Sequence, residues 1–249
     1  MFQGSMVGAA HMGPGAQRGL RARGMRAVQV GPQRVPATLS LLPRASGLVI
    51  WFIAGSGGDV AEAEAQGAAQ AELAQVLAQH RLATLFVELL DGRSSPAGNG
   101  ASAQDSGVHD PAQVAACAVE VLDWAAGHTD LAELHAGLCA ADVAAAGALL
   151  ATTLRPARVA AVVARSGRPD LVAPALGRVA VPTLLIVGGN DPDRLAVNRA
   201  ALLALNCEKR LEVVPGAGPA FAEPGAQATM VHLAAAWLAD RLGTSAQRH

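Results

Sequence analysis

The stretch that decides the fold is Gly137-Leu138-Cys139-Ala140-Ala141-Asp142-Val143-Ala144. An apolar run over 134–139 predicts a strand that leads into it, and a helical pattern over 143–154 leads out of it. Alanines at 140 and 144 keep the surroundings of Asp142 small, as a tight strand-to-helix turn requires, because larger side chains there would collide with neighbouring backbone. The sequence therefore predicts such a turn with an aspartate at its tip.

The rest of the chain repeats this alternation of strand and helix. Further strands are predicted over 26–30, 37–41, 47–53, 83–89, 159–164, 183–187 and 211–214, and further helices over 60–79, 111–126, 194–205 and 225–242. The later strands are continuous apolar runs, which is how strands covered on both faces read. The predicted fold class is α/β: a doubly wound, mostly parallel sheet with helices on both faces.

Length and composition predict one domain. A chain of 249 residues suits a single large α/β core. Residues 1–24 are interpreted as a flexible tail that includes a tag scar at Phe2-Gln3-Gly4-Ser5, and 244–249 as a second tail. The domain is expected over 25–243. Turn-forming residues over 92–108 predict a flexible loop, with a lid over a site as the alternative.

Charge and cysteine content exclude several classes of function. A net charge of -1 without long blocks of like charge predicts neither a nucleic-acid nor a membrane partner. The apolar runs are too short to cross a bilayer. Three cysteines without paired spacing indicate neither a disulfide framework nor a zinc site. We therefore expect a cytoplasmic protein without cofactor or metal.

Four segments resemble the dienelactone-hydrolase-like family of α/β hydrolases, including members fused to phosphoribosyltransferase domains. They are 136–159 around the turn, 165–171, 182–192 and 211–217, and the likeness extends over about 47–242. In such hydrolases a nucleophile on the turn is followed along the chain by an acid and then by a histidine. The resemblance implies an α/β-hydrolase fold and, in an intact member, ester or lactone hydrolysis.

At the positions that carry the chemistry, this chain departs from the family. The resemblance places the family's serine at Asp142, its acid at Asp191 and its histidine at Pro219. A His-Gly-Ser-Gly turn of the family reads Ala54-Gly55-Ser56-Gly57 here. The predicted ligand-binding residues are Gly55, Ser56 and Val143, with Asp142 and Asp191 as candidate catalytic groups.

Each candidate has a plainer interpretation. Asp142 is either a nucleophile, as in hydrolases that attack with an aspartate, or an N-cap of the following helix. Asp191 suits a turn regardless of catalysis. Cys139 has the outline of a cysteine nucleophile, but the downstream helix places it inside the strand as a small buried residue. Among the histidines, His109 beside the predicted loop is the one that could swing toward the site.

These substitutions favour a non-catalytic protein that binds a small molecule or a protein partner; a homo-oligomer stays open. The alternative is a hydrolase of ester, lactone or halide substrates with Asp142 as nucleophile, assisted by Asp191 or His109. A metal site formed by Asp142 and Asp191 has little support, since two carboxylates without a third ligand are a weak signal.

Overall fold

The computed structural model describes residues 24–54, 60–89 and 110–245. Its strands are β1 (Met25–Val30), β2 (Val35–Ser40), β3 (Gly47–Ala54), β4 (Leu82–Leu89), β5 (Ala136–Ala141), β6 (Val159–Arg165), β7 (Thr183–Gly188) and β8 (Lys209–Val214). Its helices are α1 (Val60–Gln79), α2 (Pro111–Gly127), α3 (Asp142–Leu154), α4 (Ala173–Leu176), α5 (Pro192–Ala204) and α6 (Ala226–Ser245). Short 3-10 turns lie at Pro156–Arg158 and Pro169–Val172.

All eight strands join one sheet in the order β1-β2-β4-β3-β5-β6-β7-β8. The pairs β1–β2 and β2–β4 are antiparallel, and the remaining pairs are parallel. The predicted mostly parallel, doubly wound sheet is confirmed. Because the carboxyl ends of parallel strands lie along one edge, the turns after β5, β6 and β7 all lie at the same end of the sheet.

The sheet separates two apolar layers, and β3 shows how. Leu48, Ile50 and Phe52 belong to the layer that contains buried residues of α2 and α3. Val49 and Trp51 belong to the opposite layer, with residues of α1 and α6. Successive strand residues point to opposite faces, so a strand buried on both sides must be apolar at every position. This explains why the central strands read as continuous apolar runs.

The sequence placed the elements well and their ends less well. Strand β5 continues two residues beyond its predicted end, and α5 begins two residues earlier than predicted, at Pro192. The short helix α4 was not predicted. Apart from Gly24, the predicted N-terminal tail lies outside the described residues, as does the loop at 92–108. Within the described ranges, no helix combines the length and the apolar character needed to cross a membrane.

Candidate functional site

The turn between β5 and α3 forms as predicted. Strand β5 ends at Ala141, whose backbone is extended, and Asp142 follows with a φ of +48°. This left-handed conformation is uncommon for residues other than glycine, and Asp and Asn tolerate it better than most. Ala140 and Ala145 beside the turn are buried. The turn therefore presents the Asp142 side chain, 60% exposed, at the end of the sheet.

Backbone contacts from the β6 end hold this turn. The Arg168 N–H donates to the Asp142 carbonyl oxygen at 3.1 Å, and the Ser166 N–H donates to Ile186 O of β7 at 2.8 Å. A Cβ at Gly167 would come within 3.0 Å of the Ala145 Cβ, so the segment after β6 packs closely against α3. The position of Asp142 is thus fixed by its neighbours and does not depend on its side chain.

The partner of the Asp142 carboxylate is a guanidinium. Arg194 Nη2 donates to Asp142 Oδ1 at 2.6 Å, and the Arg194 side chain is 25% exposed. The N-cap interpretation of Asp142 is wrong: the cap position is Ala141, and no side chain bonds to the first amides of α3 there. The reason is geometric, since Asp142 is the first residue inside the helix and its carboxylate points to α5.

Asp191 lies against the same arginine. It is the N-cap of α5, and its Oδ1 accepts from the Arg194 backbone N–H at 3.2 Å. Its own N–H donates to Gly188 O at 3.2 Å, which closes the turn after β7. The structure thus brings Asp142 and Asp191 to one residue, Arg194. Among the residues described, no three Asp, Glu, His or Cys side chains gather closely enough to hold a metal ion.

The loop after β8 carries Pro219, which is exposed. Asn190, beside Asp191, fixes this loop: its N–H donates to Ala217 O at 2.9 Å and its Nδ2 donates to Gly216 O at 2.8 Å. Farther along, Phe221 is 1% exposed with a φ of +55°. The loop is therefore firmly packed, while its proline offers no group that could accept a proton.

Two of the four described histidines have contacts unrelated to the turn. The His128 ring is 5.1 Å from the Trp124 ring, and its Nδ1 accepts from the Asp130 N–H. His232 Nδ1 contacts Ala228 O within α6. His109, together with Gly55 and Ser56 of the predicted ligand site, lies outside the described residues. Val143, the third predicted ligand-binding residue, is half-buried at the second position of α3.

Cys139 is not a nucleophile in this fold. It lies within β5 and is fully buried, and burial raises the pKa of its thiol to about 12. Thiolate is the reactive form, so a thiol with this pKa stays unreactive near neutral pH. The prediction of a small buried strand residue is confirmed.

The sequence patterns predicted no role at the site for three basic residues near the turn: Arg165, Arg168 and Arg194. Arg165 ends β6 with its guanidinium carbon 6.0 Å from the centre of the Phe221 ring, and burial lowers its pKa. Arg194 could have been recognised from its position in the sequence. A cation in the first turn of a helix opposes the helix dipole, so an arginine three residues after the Asp191 cap indicates that an anion lies nearby.

Several buried polar atoms around this turn have no hydrogen-bond partner among the described residues. They are Ser166 Oγ, Arg194 Nη1 and Asn198 Oδ1. Asn198 joins the segments that carry them, because its Nδ2 donates to Gly167 O at 3.1 Å and to Arg194 O at 2.8 Å. Buried polar groups are normally paired, so this end of the sheet retains unused hydrogen-bonding capacity.

Strand order, the strand-to-helix turn and the loops after β7 and β8 define the class: the chain has an α/β-hydrolase fold. A further similarity narrows this class to one family. The structure of a dienelactone hydrolase of Anabaena variabilis has a TM-score of 0.73 with this chain and 35% identity, over 86% of this chain and 95% of that one. The chain belongs to the dienelactone-hydrolase-like α/β hydrolases.

More distant structures share the fold. They include a CIB-like hydrolase of Thermoplasma acidophilum, with a TM-score of 0.64 and 14% identity over 87% of this chain and 98% of that one. A dienelactone hydrolase-like promiscuous phosphotriesterase from metagenomic libraries has a TM-score of 0.59 and 14% identity, again over 87% and 98%. No family model matches the chain.

Curated relatives come from two Mycobacterium tuberculosis strains and are provisionally named as phosphoribosyl transferases. They are 34% identical over 215 residues, which is 86% of this chain and 46% of each relative. This chain thus spans about half the length of the curated relatives it matches.

Proposed function

We propose that this protein is a pseudo-hydrolase, a hydrolase-fold module with a degenerate triad that binds a small ligand without turning it over. The binding region is the end of the sheet where Asp142 and Arg194 meet. The observation that carries the proposal is the ion pair of Asp142 Oδ1 with Arg194 Nη2 at 2.6 Å. This ion pair engages the carboxylate of Asp142, which lies at the position where members of the family have a serine.

The chemistry of the pair supports this function. A hydroxyl or carboxylate nucleophile requires a base, either to activate it or to activate the water that releases the product. Arginine stays protonated in proteins and cannot accept that proton. Pro219, at the position of the family's histidine, has no titratable group. Loss of nucleophile or base in a working triad typically lowers turnover by about 10⁶-fold.

Stability alone does not account for the ion pair. Asp142 is 60% exposed, and exposed pairs contribute only about 0.2 to 1 kcal/mol. Arg194 keeps Nη1 buried and without a partner among the described residues. The Arg194 side chain is also 25% exposed, and a guanidinium suits a ligand that brings an acceptor oxygen, such as a carboxylate. We therefore assign the ligand to small molecules with an anionic or carbonyl oxygen.

Two measurements on the full chain test the proposal. Hydrolysis of p-nitrophenyl acetate should stay at the buffer rate, and Asp142→Ala should not change it. Benzoate should bind saturably by isothermal titration calorimetry, with affinity lost in Arg194→Met and retained in Arg158→Met, which changes a half-buried arginine just before β6. Turnover that disappears in Asp142→Ala, or benzoate binding equal in all three proteins, would overturn the proposal.

One observation favours the alternative, a hydrolase with Asp142 as nucleophile. The carboxylate lies at the tip of the turn with most of its surface exposed, as an attacking group must. This function predicts an ester adduct on Asp142 after incubation with an epoxide or an alkyl halide, seen in the intact mass and absent in Asp142→Asn. An unmodified mass removes the alternative.

A further inference from the structure

The outer edge of β8 is open in the described part of the sheet, where β8 is the last strand. Glu208 O accepts from Thr183 N at 2.8 Å, and Val214 O accepts from Gly189 N at 2.9 Å. Backbone groups of successive strand residues point to opposite edges. The backbone N–H and C=O groups of the even-numbered residues of β8 therefore point to β7. Those of Lys209, Leu211 and Val213 point outward, away from the sheet.

Such an edge is a template for another strand. Edges are commonly protected by proline, by a bulge, by charged side chains or by a helix or loop that covers them. Strand β8, Lys209-Arg210-Leu211-Glu212-Val213-Val214, contains no proline and pairs regularly with β7. Its charges are of both signs: besides Lys209, Arg210 and Glu212 lie on one face and form an ion pair at 2.5 Å, so they can complement those of a second copy.

We propose that β8 is a homodimerisation edge, on which β8 of a second copy adds antiparallel about a two-fold axis through Leu211. In an antiparallel pair, outward-pointing residues must oppose outward-pointing residues. With the axis at Leu211, Leu211 opposes its own copy, and Lys209 opposes Val213. Arg210 then faces Glu212 of the second copy on both sides of the axis.

Charge selects this register over its neighbours. An axis at residue 210 would place Arg210 opposite Arg210, and an axis at residue 212 would place Glu212 opposite Glu212; like charges directly opposite are destabilising. In the register centred on Leu211, the Arg210–Glu212 positions are non-hydrogen-bonded pairs. Their side chains approach most closely in such pairs. The strand is therefore complementary to itself.

Exposed apolar surface lies next to this edge. Val213 is 38% exposed within β8, although strand residues of this sheet are mostly buried. Leu211 packs on the layer that includes Ala201 and Leu205, so it lies on the α5 side of the sheet. Leu203 of α5 is 84% exposed. A second copy on β8 would bring two such helices to the same side of the joined sheet.

The test is the mass of the full chain in solution by sedimentation velocity, at concentrations up to about 100 μM. We expect a dimer. Val213→Pro removes an outward N–H without touching the β7 ladder, and edge positions tolerate proline; it should give a monomer. Val213→Thr, which keeps the N–H, should stay dimeric. A monomeric parent protein, or a dimeric Val213→Pro, overturns the proposal.

The charge register has its own test, which does not depend on Val213→Pro folding. Arg210→Glu alone should weaken the dimer about tenfold or more, because like charges then oppose each other. Arg210→Glu combined with Glu212→Arg should restore it, because the swapped strand is again complementary to itself. Circular dichroism checks that each variant is folded. A double variant as weak as the single one overturns the register.

Discussion

The strand-to-helix turn at Asp142 and the loop at Pro219 lie at the same end of the sheet and differ in what their side chains do. Both keep a left-handed residue, Asp142 with a φ of +48° and Phe221 with a φ of +55°. The Asp142 carboxylate is paired with Arg194. Pro219, by contrast, is exposed and has no polar side chain.

The comparison teaches that backbone shape and side-chain chemistry are held by different forces. The turn is fixed by small buried residues and by the Arg168 N–H, and the loop by Asn190 and by the burial of Phe221. Neither set of contacts uses the side chain at the tip. The tip residues can therefore change while the geometry of the site persists, provided that the new residue tolerates the backbone conformation at that position.

The largest expected effect comes from breaking the packing that holds the loop. In Gly188→Ala, the new Cβ would overlap the carbonyl oxygens of Ala217 and Gly218. Because both obstacles are backbone, the loop must shift, and we expect a loss of about 2 to 3 kcal/mol in the free energy of unfolding, measured with urea. Gly243→Ala in α6 meets nothing within 4 Å and should be neutral or stabilising. Equal stability of the two variants would contradict this account of the loop.

An intermediate effect comes from straining the turn. Asp142→Val places a β-branched residue at a φ of +48°, which costs about 1 to 3 kcal/mol of stability. Asp142→Gly removes the same ion pair without the strain, so the difference between the two unfolding free energies isolates the backbone term. If valine and glycine proved equally stable, the turn would not be held in the left-handed conformation.

The smallest effect concerns the ion pair behind the turn. Hydrogen bonds from the Arg168 guanidinium lower the pKa of Asp170, and the two side chains are 35% and 36% exposed. A depressed folded-state pKa adds stability above the unfolded-state value and loses it as pH falls through the folded-state value. Asp170→Asn should therefore cost less than about 1 kcal/mol at pH 7.

This cost should shrink as the pH falls below about 4. Urea unfolding of both proteins at neutral and acidic pH measures it. Asp130→Asn serves as the control for the same substitution at another exposed aspartate. A cost for Asp170→Asn that stays constant with pH would mean that the carboxylate acts by packing and not by charge.

Much of the fold was predictable because a strand that is buried on both faces is a continuous run of apolar residues. The ends of the strands and helices were less predictable. The start of α5 depends on Asp191 acting as an N-cap, and the end of β5 depends on pairing with β6 that continues to Ala141. The short helix α4 has only four residues, too few to show a helical period.

At the site, the tip residues were predictable and their partners were not. Asp142, Asp191 and Pro219 lie in or next to three short segments that each resemble the family, so local sequence was enough to find them. The pairing of Asp142 with Arg194 joins residues 52 positions apart, and no local pattern specifies it. One interpretation from the sequence made Asp142 the N-cap of the following helix. Asp142 cannot have this role, because it is the first residue inside the helix.

The sequence by itself determined the alternation of strands and helices, the turn with an aspartate at its tip and the proline in the last loop, because these are properties of neighbouring residues. Only the tertiary structure decided that the carboxylate meets a guanidinium and that β8, with charges of both signs, is the last strand in the described part of the sheet. Both depend on the order in which β5, β7 and β8 are laid side by side in the sheet. That order follows from the packing of the whole chain.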